Sequence, residues 1–149
     1  MIDDLAKEFP TDTQLNAVAL PLGRAMIALQ QGKPAQAVTA LEPSLPYELG
    51  AGPSGAGYFP MHIRGEAYLK SHDGAKAAAE YQKIMDHQGI DPTNPLYALA
   101  RLGIARAYAL QGEMAKAKTA YQDFLASWKD ADPDVPILKE AKAEYAKLQ

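Results

Sequence analysis

Ala105–Leu125 reads ARAYALQGEMAKAKTAYQDFL. Its apolar spacing predicts the end of one helix, a tight turn at Gly112 and a second helix that folds back. Ala105 and Ala117 are small where two helices would touch, and Tyr108 and Tyr121 are large enough to fill the space beside them. The register recurs twice upstream at steps of 40 residues: Ala117 matches Ala77 and Ala37, and Tyr121 matches Tyr81 and Leu41. At the same steps Tyr108 matches Tyr68 and Ala28, and Ala105 matches Gly65 and Ala25. A pattern repeated without drift predicts three helical hairpins stacked in a row. In the middle hairpin Gly74, after His72 and Asp73, is read as the turn glycine. Tyr81 and Tyr121 are expected to be buried between hairpins.

The remainder of the chain is read outward from these hairpins. Residues 3–8 form a short helical piece stopped near Pro10, where the second helix of a preceding repeat would end. The chain is therefore expected to start inside a longer solenoid. Thr11 or Asp12 caps the next helix, which runs to Gln30 and is kinked, or truly begins, at Pro21 because proline lacks the helical N–H. Gly32 stops that helix and Pro34 opens its partner, with Ala37, Val38, Leu41 and Leu45 on the buried face. Residues 46–57, PYELGAGPSGAG, form a long outer connection, and residues 49–57 are expected to be the most mobile interior segment. Asn94 caps the sixth helix and Pro95 opens it. On the last helix Leu138, Ala141, Tyr145 and Leu148 share one stripe, while Lys139, Glu140, Lys142, Glu144 and Lys147 lie elsewhere. That is the pattern of a terminal cap, apolar toward the stack and polar toward water.

Composition narrows the function classes. A chain of 149 residues is one domain able to bury a real core. A net charge of −3 with scattered basic residues gives no footprint for nucleic acid. The absence of cysteine removes disulfides, thiolate metal sites and thiol catalysis. Apolar runs fall far short of the ~20 residues that span a bilayer, and MIDDLAKEFP has no apolar signal core. A soluble, cytoplasmic protein is expected, with no membrane and no nucleic-acid partner.

Ala105, Tyr108, Gly112, Ala117 and Tyr121 resemble the tetratricopeptide repeat family, whose first helix carries a small residue and then an aromatic, followed by a glycine turn and further small and aromatic positions. Gly65, Tyr68, Ala77 and Tyr81 continue the likeness, as do Ala25, Gly32, Ala37 and Leu41, so that it covers nearly the whole chain. Two departures stand out. The family repeat is about 34 residues long, so the extra residues are expected in the outer connections and in longer second helices. The large aromatic early in the first helix is replaced by Pro21, Met61 and Arg101. More narrowly, RGEAYL and the stretch from Ala105 to Leu148 look like the repeat region behind bacterial eukaryotic-type serine/threonine kinases and some winged-helix regulators. The resemblance implies an all-α superhelical solenoid of antiparallel hairpins with a C-terminal capping helix. Its expected division is residues 1–10 as a remnant, 11–52, 53–92 and 93–132 as repeats, and 133–149 as the cap.

Other motifs carry little chemistry. Residues 50–55 match G-x-G-x-x-G, but a helix precedes them, Pro53 interrupts them and no strand is predicted, so a plain connection is the better reading. Asp130, Asp132 and Asp134 open like a calcium loop, yet Val135 and Ala141 stand where glycine and glutamate are needed, and helix capping accounts for them. His62, His72 and His87 match no metal spacing, and Glu48, Glu66 and Glu80 read as surface carboxylates. No enzymatic activity, cofactor or metal is expected. Arg24 and Arg64 take equivalent places at a helix seam, where Ile104 stands in the third hairpin, and an ion pair with Glu42 or Glu80 is expected.

The resemblance places the first helix of each pair on the concave face and implies a partner-binding groove there. Its candidate residues are Leu22, Met26 and Leu29; then His62, Glu66, Leu69 and Lys70; then Leu102, Arg106 and Leu110. The basic and asparagine clamp with which some members of the family grip a chaperone's terminal carboxylate is not reproduced. The expected function is a protein-interaction scaffold binding a protein or peptide, including the rest of a longer chain of its own. Two alternatives are an intramolecular regulatory segment of a larger bacterial kinase or transcription regulator, and a structural or oligomerising module. Weak homo-association through the N-terminal edge is also expected.

Overall fold

A computed structural model describes residues 2–50 and 57–149. The G-x-G-x-x-G stretch and most of the segment expected to be mobile lie outside the described residues. Helix α1 spans Ile2–Glu8. A π-helical stretch, Gln14–Ala19, then leads into α2, Leu20–Gln30. Asp12 accepts a hydrogen bond from the Leu15 N–H at 2.8 Å, as a capping side chain should. Pro21 sits in the first turn of α2, where it has no N–H to donate to the helical turn before it. The wider turns before it are the local adjustment that such an interruption induces.

The second helix of the first hairpin, α3 (Pro34–Ala40), is short and passes into a 3-10 stretch, Glu42–Tyr47. Pro43 and Pro46 explain the change, since neither can donate to an α-helical ladder. The expected longer second helix is therefore absent here. The buried face also shifts: Leu45 is exposed, and Ser44 takes the interior position with its hydroxyl donating to the Leu41 carbonyl at 2.7 Å. Helices α4 (Phe59–Lys70) and α5 (Gly74–Asp86) form the second hairpin, and α6 (Pro95–Leu110) and α7 (Met114–Ser127) the third. Helix α8 (Pro136–Ala146) closes the array. Asn94 caps α6, accepting from Leu96 N–H at 2.9 Å. Asp132 accepts the Asp134 N–H within the preceding turn, while Val135 is the N-cap of α8 and makes no side-chain cap bond.

The three inner turns close in the same way. Lys33, Asp73 and Glu113 donate their N–H groups to Ala28, Tyr68 and Tyr108 carbonyls at 2.9, 2.9 and 3.0 Å, the six-to-one bond of a helix stop that needs one left-handed residue. That residue is Gly32 (φ 69°), His72 (φ 57°) and Gly112 (φ 74°). The turn residue of the middle hairpin is thus His72, in strict register with the two glycines, and not Gly74. Gly74 is buried in the first turn of α5 for a different reason. A Cβ there would lie 2.6 Å from the Ala107 carbonyl oxygen, so α5 and α6 approach closely only because it is glycine.

Successive hairpins stack so that α2 packs on α4 and α4 on α6, while α3 packs on α4 and α5 on α6. First helices touching one another draw that side of the array inward, so α2, α4 and α6 line the concave side. The chain is an all-α, tetratricopeptide-like solenoid. Its core runs in three clusters, around Ala37 and Leu41, around Tyr81 and Ile84, and around Tyr121, Phe124 and Leu138. Tyr81 and Tyr121 are buried, as their register requires. The hydroxyl of buried Tyr58 donates to the His87 carbonyl at 2.6 Å and accepts from Asp91 N–H at 3.3 Å, pinning the connection between α5 and α6. No helix among the described residues is long and apolar enough to cross a membrane.

Arg64 is buried and forms the center of an ionic clamp. Its Nε and Nη2 donate to Glu80 Oε2 at 3.0 and 2.7 Å. Its Nη2 also reaches Glu48 Oε2 at 2.9 Å, and Nη1 bonds Glu48 Oε1. The expected pairing with Glu80 is present; Glu48, from the outer connection, is the unforeseen third member. Neither carboxylate is a free surface group. Burial works against the Arg64 charge, but the hydrogen bonds it donates to Glu48 and Glu80 outweigh it and raise the guanidinium above its ordinary value.

Candidate functional site

The concave face is built from one-turn steps, three or four residues apart, along α2, α4 and α6. In its first third Leu22 and Leu29 turn partly into the first-hairpin core, and Met26 is left 52% exposed. In its middle third His62, Glu66 and Leu69 are half-buried, and Lys70 is exposed. In its last third Leu110 is 42% exposed and Arg106 half-buried. Leu102 does not belong to the accessible face. It is 1% exposed, packed in the cluster that Leu138 and Ala141 of α8 complete. The cap that the sequence predicts is what removes it from the groove.

Between the middle and last thirds lies a hollow of about 360 Å³ lined by Leu69, Ala109, Leu110, Arg106 and Tyr121. Its floor is aliphatic and its polar edge is held rigidly. Arg106 donates from Nε and Nη2 to the two oxygens of Glu144, both at 2.9 Å, and from Nη2 to Glu140 at 3.3 Å. The Tyr121 hydroxyl donates to Glu144 Oε2 at 2.8 Å. Glu144, assigned to the water-facing side of the cap by its spacing, turns inward instead, because the paired guanidinium and phenol compensate the burial of its charge. Burial opposes the Arg106 cation and Glu144 more than restores it, so the group titrates above its ordinary value. Burial, reinforced by Glu144, drives the Tyr121 hydroxyl well up, and burial with Glu66 does the same for Tyr81.

The neighboring polar group is built on Tyr81. Its hydroxyl donates to Glu66 Oε1 at 2.9 Å, and its ring meets that of His62 edge-on at 5.9 Å. His62 Nδ1 is buried and finds no hydrogen-bond partner among the described residues. Burial lowers the His62 value, with the Glu66 charge pulling the other way. The imidazole is therefore neutral near pH 7. Among the described residues no three metal-ligating side chains converge.

Arg106 cannot act as a carboxylate clamp while Glu144 holds it on two nitrogens. The face offers an apolar socket with fixed hydrogen-bonding edges, which suits recognition of a side chain better than bond making. Of the residues that line the hollow, the sequence-derived groove names Leu69, Arg106 and Leu110 and omits Ala109 and Tyr121; it also omits Glu144, which holds Arg106. The repeat register places Tyr121 in the core alone. Glu144 gave no signal, since its spacing on α8 matches an exposed position.

Residues 64–136, just under half of the chain, match the family model of the tetratricopeptide repeat. This segment holds α5, α6 and α7 and both edges of the hollow apart from α8. Tetratricopeptide repeats in general mediate protein–protein interaction. No curated protein and no solved structure matches the chain.

Proposed function

We propose that the chain is a protein-interaction scaffold that takes a peptide or protein segment along its concave face, with repeats over residues 11–52, 53–92 and 93–132 and a cap over 133–149. The observation that carries this reading is the aliphatic hollow between Leu69 and Leu110, whose Arg106 and Tyr121 edge is locked by Glu144. A hollow of about 360 Å³ has room for one large apolar side chain, and burying such a side chain contributes about 1.5–3 kcal/mol. Met26 and Leu22 extend the apolar track toward the N-terminal end, and His62, Glu66 and Lys70 supply polar contacts between the two ends. The cytoplasm is the assigned compartment, and cell fractionation tests it. Catalysis forms no part of the reading.

The test is a Leu110→Glu variant, which places a charge in the hollow at an exposed position. A partner captured by the parent protein should be lost by this variant at unchanged melting temperature. Retention of every partner at parental strength would refute the concave site. A structural or self-associating role has one observation in its favor, the exposure of Leu5, Phe9 and Ile27 toward the N-terminal end. Sedimentation velocity over a range of concentrations decides it, with a mass that does not rise counting against it.

A further inference from the structure

The repeat of 40 residues allows one part of the molecule to be read against another. The members of the buried clamp in the second hairpin, Arg64, Glu80 and Glu48, have Ile104, Ala120 and Gln88 at the equivalent places one repeat later. The register holds here in space as well as in sequence. Lys76 lies 5.5 Å from the center of the Tyr68 ring, and Lys116 lies 5.4 Å from that of Tyr108. The exchange of an arginine and a glutamate for an isoleucine and an alanine leaves room. A slot of about 230 Å³ opens there on the side away from the concave face, between α5 and α7 with α6 as its floor. Met85, Ile104 and Ala120 form its walls, and Arg101 and Asp123 stand at its rim. A shallower hollow of about 460 Å³ continues it along Ile104, Ala120 and Tyr108.

The rim charges are not equivalent. Arg101 is laid over the Tyr97 ring at 5.2 Å from its center. Asp123 is exposed, and among the described residues its carboxylate has no ion pair or hydrogen bond. An apolar slot ending at a free carboxylate matches a long aliphatic stem with a cationic head. The second hairpin fills the corresponding volume with such a side chain of its own, Arg64, held by carboxylates.

We propose that this outer slot is a second docking site, which receives an arginine side chain from a partner protein, its stem on Ile104 and Ala120 and its guanidinium on Asp123. The site is independent of the concave hollow, so that the array holds partners on two faces.

The probe is N-acetyl-arginine amide, titrated into the isotopically labeled full chain to about tens of millimolar, the affinity range of single side chains. N-acetyl-norleucine amide and N-acetyl-glutamate amide serve as controls. Saturable amide shifts clustered at residues 104, 120 and 123, stronger for the arginine probe than for either control, are expected. Asp123→Asn should weaken the arginine probe roughly two- to five-fold, the size of an exposed ion pair, without weakening norleucine. A double variant, Ile104→Arg with Ala120→Glu, rebuilds the clamp and should abolish the shifts. Equal binding of norleucine and arginine, tighter binding of glutamate through Arg101, or no localized shift at all would each overturn the proposal. Should the double variant fail to fold, the Asp123→Asn comparison decides alone.

Discussion

The ring of Tyr81 lies between two backbones, that of α4 at Gly65 and that of α6 at Gly103. A Cβ at Gly65 would come within 2.6 Å of the ring, and one at Gly103 within 2.4 Å. Both glycines are there for close approach, since a methyl group in either place must displace a buried phenol. Tyr81→Ala should lower stability by about 3–5 kcal/mol and Gly103→Ala by about 1–3 kcal/mol, read from urea midpoints at constant slope. A Gly103→Ala protein as stable as the parent would show that the ring has somewhere else to go. His72 makes the opposite case. It occupies the left-handed conformation that Gly32 and Gly112 adopt at equivalent turns, at a cost of about 1–2 kcal/mol for a residue with a side chain. His72→Gly should therefore stabilize by about 1 kcal/mol, and a destabilized variant would mean that the imidazole makes a compensating contact. His62 adds a pH term. Its value is lowered in the folded chain from 6.5, so the unfolded chain binds the proton first. The stability gained by keeping it neutral is complete above about pH 6.5 and is lost as the pH falls through the folded value. Melting temperatures from about pH 7.5 to about pH 5 should fall less steeply for His62→Gln than for the parent. Parallel curves would rule the term out.

In the second hairpin, buried charge joins the two helices to the outer connection. Arg64 reaches 16 residues back to Glu48 and 16 forward to Glu80, so one guanidinium ties α4, α5 and the connection together. Glu80→Ala leaves that cation buried with half its partners, a loss of about 3–5 kcal/mol by the general behavior of broken buried pairs. Replacing all three members by methionine removes the charges together and should recover most of the loss. Thermal melts of the single and triple variants make the comparison. If the triple variant is less stable than Glu80→Ala, the clamp contributes net energy and not only order. The third hairpin already shows that this fold tolerates an apolar substitute, since Ile104 and Ala120 stand there without distortion of the register.

At the scale of the whole molecule, stability comes from interfaces between neighboring hairpins, and the two ends are finished differently. Helix α8 buries Leu138 and Ala141 against Leu102, Tyr121 and Phe124, with Trp128 stacked 5.2 Å from Phe124, and binds Arg106 and Tyr121 through Glu144. Helix α1 packs on α2 while Leu5 and Phe9 remain exposed. Removal of residues 134–149 should therefore lower the melting temperature far more than removal of residues 1–9. It should also increase light scattering, because the aromatic cluster would face water. A C-terminal truncation that melts like the intact chain would remove α8 from its role as cap.

The sequence by itself determined the helices, the step of 40 residues, the burial of Tyr81 and Tyr121 and the apolar stripe of the last helix. Each of these is written in spacings of three, four or 40 along the chain, and local periodicity survives whatever the hairpins do next. Tertiary structure alone decided the rest. Gly103 lies 38 residues after Gly65, outside the register, and meets Tyr81 only because α6 crosses behind α5. Leu102 has a groove spacing but is covered by α8, and Glu144 has a solvent spacing but finds Arg106 from 38 residues away. Glu48 reaches Arg64 from a connection with no period of its own. In every such case the partner is set by how successive hairpins rotate and stack, a geometry that no single helix encodes.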